Sequence, residues 1–261
     1  MTELTVSQFN LVYNFFSFTV ASMGAATLFI WMNRSQVAPA YRPALTIGGL
    51  VTAIAFYHYL RIFGSWEAAY TVEGDQLVAT GKIFNDAYRY VDWLLTVPLL
   101  LIELLLIMRL SSSETVSRGL RLGGLAALMI ILGYPGEIAT ADGTRWIWWC
   151  LSMIPFLWII YELFFGLKES LARQPAEVRG LVNAARWLTV AAWSYYPIVF
   201  IFPMIGLTGG GATTAVQVGY SIADVVAKAV FGILIYFIAV RKSAAEEMAA
   251  PRGGEVIGAA S

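Results

Sequence analysis

The stretch Ser221-Ile222-Ala223-Asp224-Val225-Val226-Ala227-Lys228-Ala229-Val230-Phe231-Gly232 sets one lysine and one aspartate in an otherwise uncharged, apolar run near the C-terminus. An ammonium at membrane depth costs at least about 2.5–3.5 kcal/mol on insertion scales, so a chain that keeps one there uses it. Asp224 precedes Lys228 by four residues, one helical turn back on the same face, and is a ready counter-charge. A lysine amine can also condense with an aldehyde to form a Schiff base. The remainder of the chain can be read as the surroundings of that amine.

Those surroundings are a membrane protein's. Of 261 residues, 59% are hydrophobic and 13% charged, where soluble domains carry about 25% charged residues. Cys150 is the single cysteine, which excludes an internal disulfide and a cysteine metal cluster. Lys plus Arg and Asp plus Glu both number 17, so no basic excess points to nucleic acid. No basic segment precedes the first apolar run, and a cleaved signal peptide is not expected.

A spanning helix needs about 20 mostly apolar residues. Seven such runs are read, at 9–32, 44–63, 87–108, 120–138, 145–165, 188–207 and 216–240. The fold expected is all-α, a seven-transmembrane-helix bundle over 1–242, with a disordered tail at 243–261. Arg34, Arg42, Arg109, Arg118, Arg121, Lys168, Arg173, Arg179, Arg186, Arg241, Lys242 and Arg252 follow the odd-numbered spans, against Arg61, Lys82 and Arg145 on the other side. The positive-inside rule then puts the N-terminus outside and the C-terminus in the cytoplasm. Alternating residues around Glu73-Gly74-Asp75 predict a short hairpin in the connection over 66–85.

The third span carries the second set of charges. Arg89, Asp92, Thr96 and Glu103 are spaced by 3, 4 and 7 and share one stripe. Asp92 and Glu103 are then separated by about 16 Å of rise, with a hydroxyl between them, the layout of an intramembrane proton relay. Asp92, with Arg89 near and the Lys228 cation opposite, is expected to be an anion and proton acceptor. Glu103, among leucines, is expected to stay protonated as a donor. His58, the single histidine, either bonds a backbone carbonyl or bonds Asp92 and tunes it.

Asp224-Val225-Val226-Ala227-Lys228, together with Arg89-Tyr90-Val91-Asp92-Trp93-Leu94-Leu95-Thr96-Val97-Pro98, resembles the microbial rhodopsins. The likeness extends over all seven spans. The Asp92/Thr96/Glu103 set is similar to the outward proton pumps of the proteorhodopsin and xanthorhodopsin kind, and His58-Tyr59-Leu60-Arg61-Ile62-Phe63 with the long connection is similar to the xanthorhodopsin branch. The resemblance implies all-trans retinal as a Schiff base on Lys228, with Asp92 and Asp224 as counterions. It implies Asp92 as acceptor, Glu103 as cytoplasmic donor, Arg89 as outward gate and His58 as a partner of Asp92. Trp93, Thr96, Trp193, Tyr196 and Pro197 would lie along the polyene, and Met129, Trp149, Ser152 and Phe156 around its ring. Leu100 falls where a leucine goes with green absorption. A plasma-membrane homo-oligomer, trimer or pentamer, is implied, and a transporter rather than an enzyme.

Two residues depart from the pattern. Trp149 stands where antenna-bearing xanthorhodopsins have a glycine that opens a window for a carotenoid ring, so no such antenna is expected. Phe200 replaces a tryptophan of bacteriorhodopsin. Glu73, Asp75 and Glu137 are candidate outer carboxyls, and Glu162 is expected at the solvated cytoplasmic boundary. Trp146 and Trp148 suit an interface belt, and Asp224 with Lys228 could be a structural ion pair. Against a light-driven proton pump stand a sensory photoreceptor, which Glu103 disfavours, and a chloride or sodium pump, which Asp92 and the Asp-Thr-Glu set disfavour. A chromophore-free secondary transporter lacks an inverted repeat.

Overall fold

The structure is a computed structural model that describes residues 4–249. Among the described residues, seven helical rods close into a ring. α1 (Val6–Asn33), α2 (Arg42–Ala69), α3 (Ala87–Met108), α4 (Ser112–Ile138) and α5 (Asp142–Tyr161) each pack on the next. α5 unwinds into a π turn (Glu162–Gly166), and a short α6 (Lys168–Ala172) leads to α7 (Ala176–Phe200). The seventh rod is α8 (Gly209–Asp224), a π turn (Val225–Val230) and α9 (Phe231–Ala249), which packs on α7 and returns to α1. This is the expected seven-helix bundle of a multi-pass membrane protein.

Local chemistry sets several boundaries. α1 and α4 each start with a capping box, Thr5 with Gln8 and Ser111 with Glu114, which satisfies donors that a helix start leaves open. α3 stops at Arg109, which takes a left-handed φ of 54°. Between α2 and α3, β1 (Tyr70–Glu73) pairs antiparallel with β2 (Gln76–Ala79), from Tyr70 opposite Ala79 to Glu73 opposite Gln76. Gly74 takes φ 61° at the two-residue turn, a conformation open to glycine. The hairpin is therefore as expected, and Tyr70, Leu77 and Phe84 pack it on Phe16 and Trp66.

The bundle encloses a set of charged side chains within an apolar core and turns apolar side chains outward. Arg89, Asp92, Glu103, Asp224 and Lys228 are buried, while Leu28, Ile131, Ile154 and Leu157 are exposed. That arrangement fits a surface solvated by lipid. Six rods are long and apolar enough to cross a bilayer. α7 falls short because Glu177, Arg179, Asn183 and Arg186 occupy its first half.

That dilution misplaces the sixth span in the sequence reading. Of the apolar run at 188–207, only 188–200 is helix, the second half of α7, which starts at Ala176 and ends at Phe200. Val178, Val182 and Ala185 continue the buried stripe of Thr189 and Ala192 upstream, and Pro203 opens a separate turn downstream. The tail reading also changes. α9 stays helical to Ala249, with the Ser243 hydroxyl accepting from Ala38 N–H and Glu246 joining Arg109 and Tyr41. Residues 250–261 of that tail lie outside the described residues. Glu162 is not solvated: it is buried on the π turn against Arg118 at 3.6 Å and Arg121 at 3.2 Å.

Candidate functional site

Lys228 Nζ lies at the centre of the ring, buried, between two carboxylates. It donates to Asp92 Oδ2 at 2.5 Å and to Asp224 Oδ1 at 2.8 Å. Asp92 comes from the third rod and Asp224 from one turn back on the lysine's own rod, as the spacing predicts.

The two carboxylates keep different company. Asp224 Oδ1 also accepts from Tyr196 Oη at 2.6 Å and Trp93 Nε1 at 3.3 Å, and Oδ2 from Tyr59 Oη at 2.6 Å. Asp92 accepts only from Lys228, and its Oδ1 is buried with no partner among the described residues. A fully bonded carboxylate is a fixed charge, whereas one with an open, buried lone pair has room for a proton. The expected His58–Asp92 hydrogen bond is not formed. His58 Nδ1 is itself buried, with no partner among the described residues, and its ring stands edge-on to Tyr57. The Thr96 hydroxyl closes on the Asp92 backbone carbonyl at 2.8 Å, so it neither bonds the Asp92 carboxylate nor lines the cavity described below.

Arg89 makes no ion pair with Asp92 or Asp224. Its Nε donates to Asp86 Oδ1 at 2.8 Å, and its terminal nitrogens to Tyr59 Oη at 3.0 Å and Gln217 Oε1 at 2.5 Å. Gln217 Nε2 closes the loop on Asp86 Oδ2 at 3.0 Å. Asp86, Tyr59 and Gln217 were missed in the sequence. Asp86 is three residues before Arg89, and that spacing was the available signal. Of the candidate outer carboxyls, Glu73 and Asp75 are exposed on the hairpin, and Glu137 accepts from Tyr90 Oη at 3.3 Å.

Glu103 is apart from this cluster, fully buried, with both carboxyl oxygens unpartnered among the described residues.

A cavity runs from Lys228 between α3, α4, α5 and α7. Trp93, Leu100, Met129, Trp149, Ser152, Phe156, Trp193, Tyr196 and Pro197 all line it, together with Tyr90, Val97, Gly133, Phe200 and Tyr220, to which the sequence reading gave no place around a ligand. Trp149 Nε1 donates to the Pro197 carbonyl at 3.0 Å, and Ser152 Oγ to the Met129 carbonyl at 2.8 Å. The walls are thus pinned across three helices. An amine at one end of an aromatic slot, with a carboxylate oxygen open beside it, suits a long apolar aldehyde.

Comparison with known proteins agrees with that geometry. The bacteriorhodopsin-like protein family matches residues 10–242. The chain belongs to that family. This bacteriorhodopsin-like protein is 30% identical over 230 residues to the green-light absorbing proteorhodopsin of Gamma-proteobacterium EBAC31A08, covering 87% of this chain and 86% of the relative. It is 32% identical over 220 residues to bacteriorhodopsin of Halobacterium salinarum, covering 82% and 79%. Among solved structures, xanthorhodopsin, described as a light-driven ion pump with dual chromophore, superposes with TM-score 0.90 at 51% identity over 94% of this chain and 98% of that one. Thermophilic rhodopsin gives 0.91 at 42% identity over 94% and 99%.

Proposed function

We propose that this protein is a light-driven outward proton pump of the plasma membrane, with all-trans retinal held on Lys228. Support comes from the family, from the proteorhodopsin and xanthorhodopsin relatives, and above all from one observation: Lys228 Nζ is gripped by a saturated Asp224 and an unsaturated Asp92. Retinal, when bound, supplies the light-driven change in shape and in proton affinity at Nζ. Trp93, Trp193, Tyr196 and Pro197 orient it, and Met129, Trp149, Ser152 and Phe156 close its far end.

Asp224 stays charged under its four donors and holds the Nζ proton in the dark. Asp92 takes that proton on a carboxyl oxygen when Nζ gives it up. Arg89, tied to Asp86 and Gln217, screens Asp92 from the hairpin end. Glu103, protonated in an apolar slot on the other side of Lys228, returns a proton to Nζ. With the hairpin end outside and the arginine-rich end in the cytoplasm, net movement is outward.

The test is expression with all-trans retinal. A visible pigment is expected that Lys228→Ala abolishes, with illuminated cells acidifying the medium and a protonophore erasing the signal. Alkalinisation that a protonophore enhances would refute the assigned ion.

A further inference from the structure

Gly48 lies inside α2, where its backbone has no need of glycine: its φ is not among the positive values. Mid-helix glycine is less stable than alanine, which keeps less backbone freedom in the unfolded chain. The space around it gives the reason. A Cβ on Gly48 would overlap Glu103 Oε1 and reach Cδ at 3.0 Å and Oε2 at 3.3 Å. The adjacent Gly49 faces a different group, the Trp31 indole. Across the slot, a Cβ on Gly232 would sit 4.0 Å from the same Oε1 and 2.8 Å from Ile30 Cδ1. Gly232 is four residues beyond Lys228, roughly 6 Å of rise along the rod. The Thr52 hydroxyl donates to the carbonyls of Gly48 and Gly49, each at 3.1 Å.

The geometry points to Gly48 as a positioning residue for Glu103: it provides the notch that seats the carboxyl between α2 and the seventh rod, at the level of Gly232. This rests on the reading of Glu103 as donor. The notch explains how a carboxyl with no hydrogen-bond partner is nonetheless held in one place. It also selects side-chain length. Glutamate reaches across to α2, whereas aspartate, one C–C bond of about 1.5 Å shorter, stops short of the notch. In the step concerned, the O–H bond of Glu103 breaks, its carboxylate remains in the notch, and Lys228 Nζ gains the proton.

The experiment compares Gly48→Ala, Glu103→Asp, the double variant and Glu103→Gln. The first readout is the infrared C=O band of Glu103, identified by its loss in Glu103→Gln and recorded with and without retinal. The second is the rate at which Nζ regains its proton after a flash. Gly48→Ala should displace the band and slow the return about tenfold, since a misplacement of about 1 Å can cost a hundredfold. The dark spectrum should be unchanged, and azide, a small permeant acid, should restore the rate. In the double variant the shorter side chain leaves room for the new methyl, so Gly48→Ala should cost little there, a non-additive cycle.

An unmoved band and rate in Gly48→Ala, or a fully additive double variant, would overturn the notch. If Gly48→Ala yields no pigment, its recovery in the double variant supports the notch and its failure to recover overturns it. A normal rate in Glu103→Gln would remove the donor reading itself, and the proposal with it.

Discussion

Asp92 presents one oxygen to Lys228 and keeps Oδ1 buried without a partner, while Asp224 a few ångströms away accepts from four donors. This difference separates the expected effects of two similar substitutions. An anion beside protonated Nζ stabilises the dark state, in which the positive charge is concentrated on nitrogen. Asp92→Asn should therefore shift absorption to the red, and lowering the pH of the unsubstituted pigment should do the same as Asp92 binds a proton. The variant should show no such acid shift, which absorption spectra across an acid titration would reveal. Asp224→Asn should cost chiefly stability. Two tyrosines and a tryptophan would face a neutral amide, and hydrogen bonds to charged groups are worth roughly 1.5–3 kcal/mol each. Thermal bleaching should then occur at a clearly lower temperature than in Asp92→Asn, and equal midpoints would count against the four-donor account. Lys228, Asp92, Asp224 and Glu103 stood out in the sequence because a charge in an apolar run is costly to keep, and a structural Asp224–Lys228 ion pair would leave the two carboxyls of the third span unexplained. Tyr59 and Gln217 were not, because polar residues at single positions are common in helices and only the folded ring brings them to Arg89 and Asp224. His58 shows the opposite failure: a sequence match implied a bond that its ring does not make.

Helices contribute through their interruptions. The π turn at the end of α5 draws Glu162 inward to Arg118 and Arg121, and a Cβ on Gly166 would collide with Glu162 Oε2. Gly166→Ala should break this α4–α5 tie and lower the midpoint of thermal bleaching by a few degrees, since overpacking costs about 1–3 kcal/mol. The visible spectrum should stay as it was, because the tie lies away from the cavity. α5 also carries Trp149, whose indole is bonded to the Pro197 carbonyl. We propose that it blocks the approach of a carotenoid ring to the cavity. Added hydroxylated carotenoid should then give no induced circular dichroism and no extra band in the action spectrum for pumping, and Trp149→Gly should permit both. Sensitised pumping in the unsubstituted protein would sink this. At this scale α3 was read to its ends from sequence because one mostly apolar run, 87–108, long enough to absorb Arg89, Asp92 and Glu103, coincides with one helix. α7 was not, because a helix whose buried stripe is half the circumference can carry Glu177 and Arg179 on the other half and lose its hydropathy signal while keeping its period.

The molecule as a whole was legible as seven spans because the number of long apolar runs survives errors in any one boundary. Its direction in the membrane rests on the distribution of arginine and lysine alone. In a Cys150→Ser background, Asp75→Cys on the hairpin should react with an impermeant thiol reagent in intact cells, and Glu169→Cys only after the membrane is opened. The reverse pattern would invert the sense of pumping with it. The seventh rod also has a practical consequence. Its 41 residues from Gly209 to Ala249 make a rod of roughly 60 Å, about twice the thickness of the hydrocarbon layer. The surplus, which carries Arg241, Lys242, Glu246 and Glu247, is a stiff post continuous with the turn that carries Lys228, the proposed point of retinal attachment. A fluorescent protein fused in helical register directly after Ala249 would inherit that stiffness, and its polarisation would report, from the aqueous phase, any rotation of the helix bearing Lys228.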